Sequence, residues 1–469
     1  MHETTSGRRR KLAVKVLAVL GGTLAVLGGI GYVVFMIDES PPDDRHLRVV
    51  RPTVPDEQNG STYLLRSCEA YQASASPSAD AGTDPSKKLG DILAGKAWDA
   101  VLAADLLENN REALDLLDKA LACPHLLLPQ CTDINAKSPL AEAGMAIAQL
   151  MDLRACALMR AGREEDALEQ SLRLVALGRR IQSSKGTLVD ALVGLSIMEM
   201  GCERVRRIAA AASIPADRLW SYGLRLGELT SGDEGLADVL RGVYAFHMAT
   251  VEGFQRGDFS MKYISGGNPE EKRTLYQAYV NRPWNLKINQ TRRWFVEAAD
   301  VTLYNLGRPL SEMRARPLPW REDWGTFGRL WGGNVFGKYL YALLAPSVSG
   351  VQEAVCQVRT DAAATRVVVA IRCFTLRTGR LPTGLEELVP DYFASVPTDA
   401  YDGRPLRYSA AKRLLYSVGK DLTDEGGFTE EEGRAWFQKE HESWAADDPD
   451  EWAGQIPDPS WSVDFRQKP

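Results

Sequence analysis

The spacing of apolar positions changes character several times along the chain, and each change predicts a different kind of structure. Residues Val16 to Ile37, VLAVLGGTLAVLGGIGYVVFMI, run without a charged side chain. At about 1.5 Å per residue that is long enough for a helix to cross a hydrocarbon core of roughly 30 Å. Residues 38–90 then carry Pro41, Pro42, Pro52 and Pro55 among many charges, followed by ASASPSADAGTDPSKK at 73–88. Missing amide donors and small polar residues predict an extended stalk over 38–62 and a flexible segment behind it. From 91 to 257 apolar residues recur at helical spacing among Ala, Leu, Arg and Glu, which predicts a helical domain. Within it, Leu107 to Leu114 (LENNREAL) and Arg160 to Leu168 (RAGREEDAL) each place a polar turn before Ala-Leu at the start of an amphipathic helix, the pattern of antiparallel helical hairpins. The two copies stand further apart than the roughly 34-residue tetratricopeptide period, so hairpin packing is expected rather than that repeat. A helical core is the plain reading of such packing, and a peptide-binding groove is its alternative.

Residues 258–345 break the pattern. Trp284, Trp294, Trp320, Trp324 and Trp331 sit among Gly, Pro and Arg with short helical stretches such as Arg293 to Tyr304, which predicts an aromatic-rich, irregular and helical layer over the helices. It serves either as a contact surface or as a plug for the scaffold. From Val358 a long amphipathic helix is expected, stopping near Gly379 and Pro382. Asp402-Gly403 favours a tight turn, and PLRY and LLYSV are apolar runs of strand length. Together they predict a small antiparallel sheet lying on the helix, its face covered by Val367, Val368, Ile371 and Phe374. The tail, 428–469, mixes Glu430 to Glu432, Asp447, Asp448, Asp450 and Glu451 with Trp436, Trp444, Trp452 and Trp461, and is expected to dock through its tryptophans. The fold class predicted is mainly α: an N-terminal transmembrane helix, a body of helical hairpins, and a small C-terminal α+β module at 358–427.

Charge orients the anchor. Arg8, Arg9, Arg10, Lys11 and Lys15 precede the apolar run, and Asp38, Glu39, Asp43 and Asp44 follow it. By the positive-inside rule residues 1–15 stay cytoplasmic and the bulk of the chain is exported. The exit Val34-Phe35-Met36-Ile37-Asp38 offers no small-residue cleavage site, so an uncleaved anchor is expected rather than a signal peptide. Gly21, Ala25 and Gly29 form a small-xxx-small series that allows a second membrane helix to approach closely. A net charge of −6 over 469 residues, with no basic concentration in a folded region, argues against nucleic acid as a partner.

Chemistry is sparse. The seven cysteines, at 68, 123, 131, 156, 202, 356 and 373, include no CxxC pair, which disfavours a zinc ribbon or a thioredoxin-like site. Cys123 and Cys131 flank a short segment and are read either as a disulfide in an oxidising compartment or as separate thiols. None of the five histidines stands in a metal-ligand spacing, and no nucleophile elbow, P-loop or dinucleotide fingerprint occurs. His247, in YAFHMATVEG, is read as a core or groove histidine. Catalytic and cofactor-binding residues are therefore not assigned, and an enzyme is the less favoured class. The competing reading is a membrane-tethered hydrolase with its site between the helical body and residues 258–345.

Three segments carry a resemblance. Leu381-Pro-Thr-Gly-Leu-Glu-Glu-Leu-Val-Pro390 is followed by Val396-Pro-Thr-Asp399-Ala-Tyr-Asp402-Gly403-Arg-Pro-Leu-Arg-Tyr408. Leu415-Tyr-Ser-Val-Gly419-Lys-Asp421-Leu-Thr-Asp424-Glu-Gly-Gly427 closes the series. A helix, a G-x-L-P-T turn, a P-x-D turn and strands ending in S-x-G-x-D, in this order, resemble the soluble part of type II secretion major pseudopilins, relatives of type IV pilins. The resemblance covers 358–427 only. The membrane segment lacks the acidic residue of pilin processing sites and is far from this helix in sequence, so neither prepilin processing nor filament formation is expected. The resemblance implies calcium at Asp421, Asp424 and Glu425. Three carboxylates are fewer than the roughly six to eight oxygens calcium takes, and a solvated acidic turn is the other reading. The function expected is that of a membrane-anchored structural or interaction protein of the bacterial inner membrane, facing the periplasm, with protein partners in secretion or envelope assembly.

Overall fold

The structure, a computed structural model, describes residues 22–23, 26–29, 36–74, 85–129, 138–232, 234–258, 285–318, 333–440 and 457–465. Most of the charge-free run 16–37 and of the polar segment 73–88 lies outside the described residues, as do Cys131, Trp284, Trp320, Trp324, Trp331, Trp444 and Trp452. Among the described residues no helix is long and apolar enough to cross a membrane. The chain divides into two compact units. The larger holds Leu47–Phe246, Ala299–Leu318 and Ser347–Pro469; the smaller holds Met1–His46, His247–Ala298 and Pro319–Pro346.

The larger unit is mainly helical. It contains α1 (Gly60–Ser74), α2 (Pro85–Leu93), α3 (Ala100–Asn109), α4 (Arg111–Ala122), α5 (Pro139–Arg160), α6 (Glu164–Gln182), α7 (Leu188–Ala211) and α8 (Ala216–Thr230). The chain turns at both predicted positions; α5 packs against α6 as expected, whereas α3 and α4 make little contact with each other. Asn110 joins α3 to α4. Gly162 takes the bend between α5 and α6 at φ +73°, a conformation that costs glycine nothing. Glu164, Glu165 and Asp166 follow in the first turn of α6, where exposed amide dipoles favour negative charge. A reciprocal cap opens α7: Thr187 Oγ1 accepts from Asp190 N at 3.1 Å, and Asp190 Oδ2 accepts from Thr187 N at 2.7 Å. Helices α6 and α7 meet backbone to backbone, because a Cβ on Gly178 would lie 2.5 Å from Gly194 O, and one on Gly194 would lie 2.6 Å from Gln182 N.

Two expectations fail in this unit. Helix formation starts at Gly60, inside the segment expected to be stalk. The sequence GSTYLLRSCEAYQAS is a poor helix former by propensity. What holds α1 is burial: Leu64 and Cys68 share a core with Leu114, Leu117, Ile147 and Met151, and Ser67 Oγ donates to Ala113 O at 2.7 Å. Nor does the expected stalk stand free. Leu47 is 1% exposed, Arg51 donates to Lys185 O, and Lys185 Nζ donates back to Val50 O, both at 2.7 Å.

Beyond α9 (Glu234–Arg256) and α10 (Ile288–Asn305), which contribute residues to both units, come α11 (Leu310–Ala315), α12 (Val335–Leu344) and the long α13 (Pro346–Thr378). The helix predicted from Val358 as amphipathic starts at Pro346 and is apolar all round at its centre. Val367, Val368, Val369, Ala370 and Ile371 are each 2% exposed or less. Its surroundings explain this, since the same core contains Leu168, Val205 and Leu219 of the helical body and Leu415 and Val463 of the C-terminal sheet. A helix enclosed by partners needs no polar face.

The sheet is antiparallel in the order β1 (Arg407–Ser409), β2 (Leu414–Tyr416), β3 (Ser460–Ser462), with Tyr408 opposite Leu415 and Leu415 opposite Trp461. Val367, Val368 and Ile371 cover it as predicted, with Phe374 partly buried beside them. Gly403, at φ +76°, makes a turn ahead of β1; the bend between β1 and β2 contains Arg413 at φ +54°. Helix α14 (Glu430–Glu440) leads towards β3. The tail thus docks as a third strand, and Trp461 Nε1 donates to Asp361 Oδ1 at 3.0 Å.

In the smaller unit the Asp38 carboxylate receives Asn289 N at 2.8 Å and Gln290 N at 3.1 Å, capping the start of α10 with negative charge. Glu39 pairs with Arg293 at 2.6 Å. Trp294 and Phe295 turn inward, 5% and 2% exposed, and pack on Tyr341 at ring distances of 6.2 and 5.2 Å, whereas Tyr339 is 44% exposed.

Candidate functional site

The acidic turn that follows β2 is built from local hydrogen bonds. Asp421 Oδ1 accepts from Thr423 N at 3.1 Å, and Asp424 Oδ1 accepts from Gly426 N at 3.1 Å. Asp424 Oδ2 lies 3.2 Å from Arg407 Nε. Glu425 turns to a different neighbour. Asp458, fully buried, accepts from Glu425 N at 3.0 Å and Gly427 N at 2.9 Å through Oδ2, and its Oδ1 has no hydrogen-bond partner. Partial desolvation and the adjacent Asp458 carboxylate push the Glu425 carboxyl up to about 7. Among the described residues no group of three His, Cys, Asp or Glu side chains is placed to hold a metal ion. The calcium set expected at Asp421, Asp424 and Glu425 is therefore divided: one caps its own turn, one faces an arginine and one faces a carboxylate.

Sequence reasoning missed the charge centre beside this turn. Asp399 is fully buried. Its Oδ1 accepts from Tyr401 N at 2.9 Å and Thr360 Oγ1 at 3.3 Å; its Oδ2 accepts from Val418 N at 3.1 Å and Arg407 Nη1 at 3.3 Å. Arg407 also pairs with Asp402. One carboxylate thus ties α13, the P-x-D turn, β1 and the end of β2 together. The available signal was Asp399 within Val396-Pro-Thr-Asp399. Arg407, in an apolar run, carried none.

His247 and most of the described thiols are buried. His247 is 4% exposed, packs on Phe295 at 4.8 Å, and is held down to about 3 by burial, so its ring is neutral at ordinary pH. Burial pushes the Cys68 and Cys373 thiols up to about 12 and Cys156 to about 11, out of the range where a thiolate attacks. Cys123 is a half-buried free thiol with Sγ 3.9 Å from Glu57 O; its expected partner Cys131 lies outside the described residues.

One cleft of about 580 Å³ opens in the larger unit between the end of α8, the face of α13 and the loop around 392–403. Along α13 it meets Arg359, Ala362, Ala363 and Arg366, positions that share one helical face. Arg366 is half-buried, with its guanidinium carbon 5.4 Å over the Phe393 ring. A Cβ at Gly227 would come within 2.7 Å of Arg366 Cζ, so a larger residue there would push the guanidinium aside. Arg366 Nε is buried without a hydrogen-bond partner, and burial lowers the group's pKa. Asp399 reaches the cleft wall, but its oxygens are committed to the four donors above. Searches against protein-family models, curated proteins and solved structures found no match to this chain.

Proposed function

We propose that this chain is a membrane-anchored structural or interaction protein of the bacterial inner membrane, with its N-terminus in the cytoplasm and its bulk in the periplasm. The observation that carries the proposal lies in the charge-free run. Its described residues Val26, Leu27 and Ile37 are 61%, 58% and 59% exposed, with five basic residues before the run and acidic residues after it. Apolar side chains left in contact with water along a stretch of that length favour transfer into lipid. A binding role over a chemical one is supported by the use of His247 in packing on Phe295 and of Asp399 in hydrogen bonds to Tyr401, Thr360, Val418 and Arg407. Residues 358–427 keep the motif order of a major pseudopilin while sharing their core with the helical body. We read that module as a fixed cap presented to partners in secretion or envelope assembly, not as a subunit of a filament.

The test is affinity isolation of the detergent-solubilised full-length protein from native membranes, with a fragment lacking residues 1–37 as control and mass spectrometry of the co-purifying chains. Recovery in the membrane fraction with secretion or envelope components supports the reading. Recovery of the intact chain from the soluble fraction overturns the anchor. A solitary membrane protein overturns the interaction role and moves attention to the tethered hydrolase.

A further inference from the structure

The cleft beside α13 holds a positive charge that the described residues do not neutralise. Arg366 makes no ion pair and no hydrogen bond among them; its guanidinium stacks on the Phe393 ring and lies close to Gly227. A guanidinium presents a fork of N–H donors that matches a planar carboxylate. Arg359 stands two helical turns away on the same face, about 10 Å along the axis, and the floor between them is Ala362 and Ala363. Ser231, Ser395 and Thr398 also line the cleft. The volume of about 580 Å³ falls within the range of sites for small organic molecules or short peptide segments.

We propose that this cleft is a carboxylate-binding site, in which Arg366 receives the carboxylate and the alanine floor leaves room for the carbon chain that carries it. The ligand class is a carboxylic acid on a short carbon chain. The same chemistry comes from two sources: a free small acid, or the acidic side chains of a partner's peptide segment. The site goes beyond the structural role proposed above and does not depend on the membrane anchor.

The measurement is isothermal titration calorimetry on the full-length protein in detergent, with glutarate, tetraglutamate and uncharged glutaramide as probes at matched ionic strength. Glutarate, tetraglutamate or both are expected to bind saturably with Kd between about 10 µM and about 1 mM, and glutaramide not at all. Arg366→Gln is expected to weaken binding by about tenfold or more. Gly227→Ala, which displaces the guanidinium without removing its charge, is expected to weaken it in the same direction. Tighter binding of glutarate identifies a small acid as the ligand; tighter binding of tetraglutamate identifies an acidic peptide; either result upholds the site. Equal heats from glutarate and glutaramide, or undiminished binding by a folded Arg366→Gln protein, overturn the proposal. Where either variant fails to fold, the comparison of acid with amide on the unaltered chain still decides.

Discussion

Asp399 is the residue whose removal distinguishes a charge-organised turn from a merely well-packed one. Its carboxylate receives four donors, two of which, Tyr401 N and Val418 N, are buried backbone amides. Asp399→Ala leaves both amides without an acceptor, at about 1–3 kcal/mol each, so a loss of about 4 kcal/mol is expected. Arg407 does not add a second penalty, because it retains Asp402 and Asp424. Asp399→Asn is the sharper test. The side chain keeps its shape, yet whichever way the amide is turned, its NH2 group faces donors: Val418 N and Arg407 on one side, Tyr401 N on the other. The isosteric variant is therefore expected to lose about 3 kcal/mol, nearly as much as the truncation. Urea denaturation followed by circular dichroism gives the global cost. Hydrogen exchange at Tyr401 and Val418 gives the local one, with protection falling at both amides. An Asp399→Asn protein within about 0.5 kcal/mol of the parent, with both amides still protected, would refute the reasoning.

Three further outcomes follow from the same structure. Arg204 binds Asp152 through two bonds, of 2.6 and 2.9 Å, with side chains only 10% and 5% exposed. Asp152→Ala should cost about 3–5 kcal/mol in urea denaturation, whereas Asp152→Leu with Arg204→Met should come back to within about 1 kcal/mol of the parent. Gly194→Ala drives a methyl to within 2.6 Å of backbone atoms on α6; a net loss of about 2 kcal/mol is expected despite alanine's better helix propensity, read as a fall in the urea midpoint. Glu425 is raised from 4.5 to about 7 in the folded chain, so its contribution to stability is full below its unfolded pKa and is lost as pH rises through 7. The protection factor at Gly427, corrected for the intrinsic pH dependence of exchange, should fall between about pH 5 and about pH 8 in the parent and change less in Glu425→Gln.

The legible parts of the fold were those in which local chemistry and tertiary packing agree. Arg160 to Leu168 bends at Gly162 and restarts with three acids because its turn residues and the helix dipole ask for the same geometry. Leu415 finds Val367, Val368 and Ile371 because strand alternation and helix periodicity both point there. Failures came where distant residues decide. Nothing within GSTYLLRSCEAYQAS announces a helix, since the stabilising partners Leu114, Leu117 and Ile147 lie far along the chain. β3 was missed because Ser460–Ser462 becomes a strand only by pairing with β2. For the acidic turn, counting carboxylates identified the segment, and the neighbours that contact it, Arg407 at Asp424 and Asp458 at Glu425, come from β1 and from the chain before β3.

The position of α13 links these observations. A helix that carried only a small sheet would keep a polar face, but Val367 to Ile371 are closed on every side, by α6, α7 and α8 as well as by β2 and the chain after β3. Arg206 of α7 pairs with Asp361 at 2.7 Å, and the same carboxylate oxygen accepts from Trp461, so one residue of α13 is bonded to the helical body and to the last strand. Arg366, one turn further on, lies on the face that opens to the cleft. Residues 358–427 are thereby part of the scaffold's core, and the cleft is formed where they meet the helical body. A ligand held there would touch α8, α13 and the 392–403 loop together, which makes occupancy of the cleft a way to stabilise the joint between these elements by mass action.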